Sequence, residues 1–92
     1  MADAQAAFEA RADKSLLIVD DDKAFSARLA RAMEGRGYAV RVAESVADGV
    51  AAIDTEAPAY AVIDMRLGDG NGLDVISALN KVRPEARAIG AP

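Results

Sequence analysis

The sequence predicts an α/β fold, an open and doubly wound parallel sheet, and three observations support this. Short apolar runs alternate with longer amphipathic segments along the 92 residues. The first three apolar runs begin near Leu16, Tyr38 and Tyr60, which are 22 residues apart each time (38−16 and 60−38). The first run is almost entirely apolar, as in a parallel strand that is covered on both faces. This spacing is typical of successive βα units in a parallel sheet.

The first unit consists of "SLLIVD", a predicted strand, followed by a predicted helix within "DDKAFSARLARAMEGRG". Phe25, Leu29 and Met33 recur every four residues and therefore share one face of that helix. The segment opens on an aspartate and closes on Gly35 and Gly37, which are start and stop signals for a helix.

The second unit begins with "YAVRVA", a predicted strand from Tyr38 to Ala43. Ser45 and Asp48, three residues apart, approximate a capping box, whose usual second member is Glu or Gln. We expect a helix there that ends before Pro58, because a proline disfavours helical geometry in the residue before it. Its predicted inward side chains are Val46, Val50 and Ile53.

The third unit joins the strand "AYAVID" to a helix in "GLDVISALNKV" that ends before Pro84. Leu73, Ile76 and Leu79 are aligned on its predicted inner face. "ARAI", from Ala86 to Ile89, begins a fourth strand that we expect "GAP" to cut short. The sequence therefore predicts an N-terminal tail over residues 1–14 and an incomplete domain over residues 15–92, with three βα units and the start of a fourth strand.

Composition excludes several classes of protein. No apolar run approaches the roughly 18 residues of a membrane span, and the N-terminal residues lack the pattern of a signal peptide. Eleven Lys and Arg against 15 Asp and Glu give a net charge of −4, and no basic block could follow a nucleic acid backbone. Cysteine and histidine are absent, so any chemistry must use carboxylates. We expect a cytoplasmic protein that binds neither nucleic acid nor membrane through this segment.

Three carboxylates follow predicted strands: Asp20 and Asp21 the first, Asp64 the third. Ligands of open α/β sheets bind at the carboxyl ends of the strands, and right-handed crossovers give the strand order 2-1-3. Since neighbouring strands lie about 4.8 Å apart, these side chains should converge. Two unit charges about 4 Å apart repel by roughly 4 kcal/mol at an effective dielectric near 20. A hard dication with oxygen ligands, Mg²⁺ or Mn²⁺, would relieve that repulsion and favour phosphoryl chemistry.

These residues carry a resemblance to a known family. "LLIVDDD", the aspartate that ends strand three and Gly72 eight residues beyond it resemble the receiver domain of two-component response regulators. More narrowly, "SLLIVDDDKAFSARLARAMEGRGYAV" and "IDMRLGDGNGLDVI" resemble the RegA/PrrA/ActR type of redox-responsive regulators. The resemblance extends from about Ser15 to Ile89. The resemblance implies a CheY-like, or flavodoxin-like, fold with strand order 2-1-3-4-5.

The resemblance also implies roles for individual residues. Asp64 becomes the phosphoacceptor, Asp21 a direct Mg²⁺ ligand and Asp20 a second acid that holds the metal. Arg66, two residues past the acceptor, would offer its backbone carbonyl to the metal. The implied partner is a sensor histidine kinase, and the implied process is transcription regulation through a phosphorelay. Receivers usually have proline four residues past the acceptor, and because Gly68 stands there we expect a more flexible loop.

Two switch residues of the family have no counterpart here: a Thr or Ser ending strand four and a Lys ending strand five. Lys81 lies in the third helix and cannot replace that lysine. We therefore expect a receiver that is truncated before strand five, without its DNA-binding domain. An open sheet edge recruits other chains, which predicts a homodimer, a domain swap or low stability.

Other interpretations of the acidic turn are weaker. One copy of a calcium β-helix repeat cannot build that fold, and Leu73 breaks the EF-hand ligand series after Asp69 and Asn71. The glycines match neither G-x-G-x-x-G nor a P-loop, so a tight turn is the expected structure. Arg66 occupies the position where haloacid dehalogenase phosphatases need a second Asp. For Asp22 a helix cap is the preferred interpretation.

Three hypotheses remain open at this point. The first is a signalling module that binds Mg²⁺ and accepts phosphate on Asp64, without being an enzyme. The second is a phosphorylation-incompetent binding module that dimerises or acts as a decoy for the kinase. The third is a metal-dependent hydrolase that uses the same acids.

Overall fold

The computed structural model describes residues 13–91; the rest of the predicted tail, residues 1–12, and Pro92 lie outside the described residues. Six strands and three helices follow one another in the described part. They are β1 (Ser15–Val19), α1 (Lys23–Glu34), β2 (Ala39–Ala43), α2 (Val46–Thr55), β3 (Tyr60–Asp64), β4 (Arg66–Leu67), β5 (Gly70–Asn71), α3 (Gly72–Val82) and β6 (Arg87–Ala91). None of the described helices is long and apolar enough to cross a membrane.

Four strands form one parallel sheet in the order β2-β1-β3-β6. The predicted order 2-1-3 is therefore confirmed, with the fourth strand added beside the third. Strand β1 lies between two partners and is buried from Leu16 to Val19. This burial explains why its sequence is apolar throughout instead of alternating.

Helices cover both faces of the sheet, as the doubly wound prediction requires. Side chains alternate between the faces along a strand, so Leu17 and Val19 point to one face and Leu16 and Ile18 to the other. The first pair belongs to the main core with Ile53 of α2 and with Val75 and Leu79 of α3. On the opposite face Leu16 lines a groove together with Met33 of α1. Helices α2 and α3 therefore share one face, and α1 lies on the other.

Each helix begins at a side-chain cap. Asp22 accepts the Phe25 N–H at 3.0 Å at the start of α1. Ser45 accepts the Asp48 N–H at 3.0 Å at the start of α2. These contacts satisfy N–H groups that have no partner within the first turn of a helix. They confirm the predicted caps for both helices.

Leu73, which was predicted to face the core, is exposed instead, and Phe25 is exposed as well. Leu73 is 55% exposed, because Val75 and Leu79 determine which face of α3 is buried. Leu73 lies two residues before Val75, about 200° away around the helix. Phe25 is 37% exposed, because the first turn of α1 extends past the sheet to the acidic rim, where its ring lines a depression. The inward prediction for Leu73 was wrong.

The fourth strand is longer than "ARAI". Its pairing with β3 continues until Ala91 is opposite Asp64, and the Met65 N–H donates to the Ala91 carbonyl at 3.0 Å. The prediction that "GAP" cuts the strand short was wrong for Gly90 and Ala91. Pairing with β3 keeps Gly90 and Ala91 in the strand, although glycine alone would weaken a strand.

Two residues assigned to the predicted tail contact the sheet. The Ser15 N–H donates to Asp13 Oδ1 at 2.9 Å, and the Lys14 carbonyl accepts the Ala39 N–H at 2.9 Å. Backbone pairing between the first two strands therefore begins one residue before β1.

Candidate functional site

Three carboxylates meet at the carboxyl ends of the central strands. Asp20 and Asp21 directly follow β1, and Asp64 is the last residue of β3. One carboxylate oxygen from each of the three lies within 4.8 Å of the other two. Because β1 and β3 are neighbours with Val19 opposite Ile63, the residues that follow must share this rim. The structure brings together the three acids that the sequence singled out.

Asp20 is the most enclosed of the three acids, with 9% of its surface exposed. Its N–H donates to the Ala43 carbonyl at 3.0 Å, which continues the pairing with β2. Its Oδ1 accepts the Asp22 N–H at 2.8 Å. Asp21 is exposed beside it. The backbone on both sides of Asp20 is therefore held firmly, while Asp21 faces solvent.

Asp64 is half-buried and is bonded to its own loop. Its Oδ1 accepts the Arg66 N–H at 3.0 Å. Arg66 is thus placed two residues beyond the acid, at the start of the loop and next to the carboxylate. The role of its backbone carbonyl as a metal ligand stays a prediction.

The acids line a shallow depression of about 370 Å³. Its walls come from the end of β1, the first turn of α1 and the ends of β3 and β6, and consist of Asp20, Asp21, Asp22, Phe25, Asp64 and Ala91. The depression is open to solvent, so a hydrated dication can reach the acids that line it.

The acids at this rim carry negative charge that no ion pair among the described residues balances. None of the ion pairs formed within residues 13–91 includes Asp20, Asp21 or Asp64. Three carboxylates this close repel one another, and oxygen donors of this kind suit a hard dication such as Mg²⁺ or Mn²⁺. The donor set therefore fits the metal that the sequence predicts.

The loop after Asp64 is a small hairpin. Strands β4 and β5 are antiparallel, with Arg66 opposite Asn71 and Leu67 opposite Gly70. Gly70 has φ +157°, a value that few side chains allow. The tight turn was predicted, but its two short strands were not. Leu67 is 8% exposed and anchors the hairpin in the core.

Gly72 permits a close approach between α3 and β3. A Cβ at this position would collide with the Asp64 carbonyl oxygen and would lie 2.9 Å from Ile63 Cγ2. The Gly72 N–H donates to the Met65 carbonyl at 3.2 Å. Glycine at this position is therefore a steric requirement of the chain that leads away from Asp64.

Asp69 is a residue whose role the sequence interpretation missed. It lies at the tip of the hairpin and accepts the Val46 and Ala47 N–H groups at the start of α2, at 2.8 and 3.1 Å. These two bonds hold the pKa of Asp69 below its ordinary value. In the sequence, Asp69 was interpreted only as a possible calcium ligand. No local pattern could reveal its true partners, which lie 22 and 23 residues away.

Curated proteins with similar sequences include regulatory proteins of bacteria. The chain is 65% identical over 77 residues to the acid tolerance regulatory protein ActR of Sinorhizobium medicae, covering 84% of this chain and 40% of that protein. It is 59% identical over 81 residues to the photosynthetic apparatus regulatory protein RegA of Rhodobacter capsulatus, covering 88% of this chain and 44% of that protein. The chain thus spans less than half the length of these relatives.

Solved structures agree with this fold. A response regulator from Burkholderia pseudomallei, crystallised with a phosphorylated aspartic acid, a calcium ion and citrate, matches with a TM-score of 0.80 and 36% identity, over 85% of this chain and 46% of that one. A CheY-like receiver domain protein from Methanospirillum hungatei matches with a TM-score of 0.80 and 33% identity, over 86% of this chain and 63% of that one.

The family described as response regulator receiver domain matches residues 16–90, a range that begins in β1 and ends within β6. It contains the three clustered acids, the hairpin and the four strands of the parallel sheet. The sheet order, the acidic rim and the similarity to RegA and ActR agree with that match. The chain belongs to the receiver domain family of two-component response regulators.

Proposed function

We propose that this receiver accepts a phosphoryl group on Asp64 from a sensor histidine kinase. In this proposal Asp20, Asp21, Asp64 and the backbone carbonyl of Arg66 hold Mg²⁺, or Mn²⁺ in its place. The observation that carries the proposal is the convergence of three carboxylate oxygens within 4.8 Å at the rim of the sheet.

The proposed transfer is a displacement at phosphorus. Asp64 Oδ1 is bonded to the Arg66 N–H, so we assign the attack to Oδ2. An O–P bond forms as the P–N bond of the phosphohistidine breaks, and the leaving electron pair stays on the imidazole nitrogen. The Arg66 N–H keeps the carboxylate oriented, which lowers the entropic part of the barrier. When bound, the metal neutralises charge that develops on the transferring group.

Asp20 and Asp21 have different tasks in this proposal. Asp20 has little exposed surface and a fixed backbone, so it provides a rigid oxygen for the metal. Asp21 is exposed and can adjust to the ion as it enters from solvent.

The similarity to the Burkholderia pseudomallei structure supports the proposal, because that response regulator carries both a phosphorylated aspartate and a divalent cation. We further propose a cytoplasmic location, since a kinase would reach the domain there. We also propose that phosphorylation of this receiver tunes transcription, as the resemblance to the RegA/PrrA/ActR type implies.

The two alternative functions have less support. A binding module unable to accept phosphate is not favoured, because the clustered acids and their loop are intact in this chain. A hydrolase is disfavoured by the sequence, which has no histidine and has Arg66 where a phosphatase of the haloacid dehalogenase type needs an aspartate. We therefore propose a phosphoacceptor that is not itself an enzyme.

A titration with Mg²⁺ followed by beryllofluoride, observed by amide NMR, tests the proposal. Mg²⁺ should shift the amide signals of Asp20, Asp21, Asp64 and Arg66, and beryllofluoride should shift them again. Acetyl phosphate should add the mass of one phosphoryl group, and Asp64→Asn should abolish that addition. Asp22→Asn is the matched control, because Asp22 is a neighbouring aspartate that caps α1. The absence of any response to Mg²⁺ or to either phosphoryl reagent would end the proposal.

We also propose that the chain self-associates through β6. Among the described residues, this strand pairs on one side only, with β3, and Ile89 is 66% exposed along it. Unpaired backbone groups beside an exposed apolar side chain favour pairing with another chain.

A further inference from the structure

The tip of the hairpin is attached to the start of α2 by one carboxylate. Asp69 Oδ1 accepts the Val46 N–H at 2.8 Å, and Oδ2 accepts the Ala47 N–H at 3.1 Å. We propose that Asp69 is a positioning residue that holds the hairpin, and with it Arg66, in place beside Asp64. This inference rests on the proposed function only where metal binding is used to measure it.

The hairpin contains little that could hold it rigid by itself. Its ladder has two residue pairs, and a two-stranded hairpin is at best marginally stable alone. Gly68 at its turn has open space around the position of a Cβ, so no packing restrains that residue. Leu67 anchors one strand of the hairpin in the core, but the tip beyond it, residues 68–70, needs a further attachment to stay in one conformation.

The attachment through Asp69 is strong for a surface contact. The first N–H groups of a helix lack partners within the helix, and the positive end of the helix dipole lies there. A carboxylate that accepts two of them forms charge-assisted hydrogen bonds. These bonds lower the pKa of Asp69, so the group is ionised at neutral pH and the attachment persists there.

Steric fit supports the same contact. A Cβ on Gly70 would lie 3.3 Å from Val46 Cγ2, so glycine lets the hairpin approach the first turn of α2. The hairpin is thus held on α2 by packing next to Asp69 and by the two hydrogen bonds. At its other end Arg66 is opposite Asn71 and donates its N–H to Asp64. Movement at the tip would therefore be transmitted to Arg66.

Asp69→Ala and Ser45→Ala form a matched pair for a test. Both variants remove a side-chain cap from the start of α2, because Ser45 accepts the Asp48 N–H. Only Asp69→Ala also removes the two hydrogen bonds that join the tip of the hairpin to α2. Both should lower the melting temperature. Mg²⁺ should bind about tenfold more weakly to Asp69→Ala, at the lower end of the loss typical of residues that support metal ligands, while its affinity for Ser45→Ala stays unchanged.

A metal-free measurement separates this inference from the proposed function. Backbone order parameters for residues 66–71, from ¹⁵N relaxation without Mg²⁺, should fall in Asp69→Ala and stay high in Ser45→Ala. Asp69→Asn keeps one acceptor oxygen and should give intermediate values, and it replaces Asp69→Ala if that variant fails to fold. Unchanged order parameters in the Asp69 variants, or an equal decrease in Ser45→Ala, would overturn the positioning role even if the parent protein binds no Mg²⁺.

Discussion

The two faces of the parallel sheet are packed very differently. On the face covered by α2 and α3, Val75 and Leu79 are fully buried and meet Leu17 and Val19 in one core. On the face covered by α1, Ile89 is 66% exposed. A groove of about 400 Å³ lies open on that side, with Met33, Tyr38, Tyr60 and Val62 among its lining residues.

The difference in packing indicates that the α2/α3 face contributes most of the stability of this chain. Burial of apolar surface is the main favourable term in folding, and most of the fully enclosed side chains belong to the α2/α3 face. That face also carries the hairpin and the start of α3, which lead away from Asp64. The loop that leads away from Asp64 is therefore built on the better packed face, whereas the first turn of α1 completes the wall of the site on the other side.

Truncation of a core side chain should give the largest contrast between the faces. Leu79→Ala should lower the free energy of unfolding by about 2–5 kcal/mol, because it leaves a cavity in a packed core. Ile89→Ala, at an exposed position, should change it by less than about 0.5 kcal/mol. Urea unfolding of both variants measures the two values. Similar losses in the two variants would contradict the contrast between the faces.

Gly72→Ala should be the next largest change. The new Cβ would collide with the Asp64 carbonyl oxygen, and relief of such overpacking typically costs about 1–3 kcal/mol. Because the backbone of Asp64 must move, the variant should also lose Mg²⁺ affinity, which isothermal titration would record. Gly68→Ala is the control, since a Cβ there would meet nothing within 4 Å. Equal stability of the two variants would argue against the steric role of Gly72.

Charge at the open edge should change association without changing the core. Ile89→Lys places a positive charge on β6. Lysine on an edge strand discourages pairing with another chain. We expect the parent chain to show concentration-dependent association in sedimentation velocity, and the variant to stay monomeric. Lys81→Ala, on the exposed surface of α3, is a control that should leave association unchanged. A parent chain that sediments as a monomer at all concentrations would refute self-association.

Acid should lower the free energy of unfolding by a small amount, because it protonates Asp13, which contacts Arg83 after α3. Hydrogen bonds from Ser15 hold the pKa of Asp13 below its ordinary value of 3.8, and Arg83 lowers it further. Arg83 follows α3 and also donates to the Ala57 carbonyl at 2.9 Å. Because the folded pKa is depressed, this stabilisation is present above pH 3.8 and is lost as the pH falls through the folded pKa.

Urea unfolding at several acidic pH values measures this effect. In Asp13→Asn the decrease in stability below pH 3.8 should be smaller than in the parent chain. Asp54→Asn, on the exposed surface of α2, serves as the control and should keep the parental dependence. An identical pH dependence in all three proteins would show that the contact with Asp13 contributes nothing measurable.

Much of the fold was predictable because few topologies satisfy the alternation of strands and helices. An all-apolar β1 requires cover on both faces, and short right-handed crossovers then determine the strand order. The meeting of Asp20, Asp21 and Asp64 follows from that order alone. These acids were therefore identified without any knowledge of side-chain contacts.

The missed features depend on contacts between distant parts of the chain. Asp69 meets α2 across 22 residues of sequence, and its position depends on the path of a hairpin that periodicity does not reveal. The inclusion of Gly90 and Ala91 in β6 depends on their pairing with β3. Phe25 follows the helical period of an inward residue, but the turn that carries it extends beyond the sheet. Sequence periodicity specifies the face of a helix and not whether anything lies opposite that face.

Within residues 13–91, the left-handed backbone region is occupied only by Gly37 and Gly70. The three clustered acids therefore have ordinary backbone conformations. The cost of bringing them together is electrostatic repulsion between the carboxylates. An exchange of one carboxylate oxygen for an amide nitrogen at residue 64 should consequently leave the surrounding architecture as it is. The resulting variant would keep the fold but could not accept a phosphoryl group. It would therefore separate recognition by a kinase from the chemistry that follows.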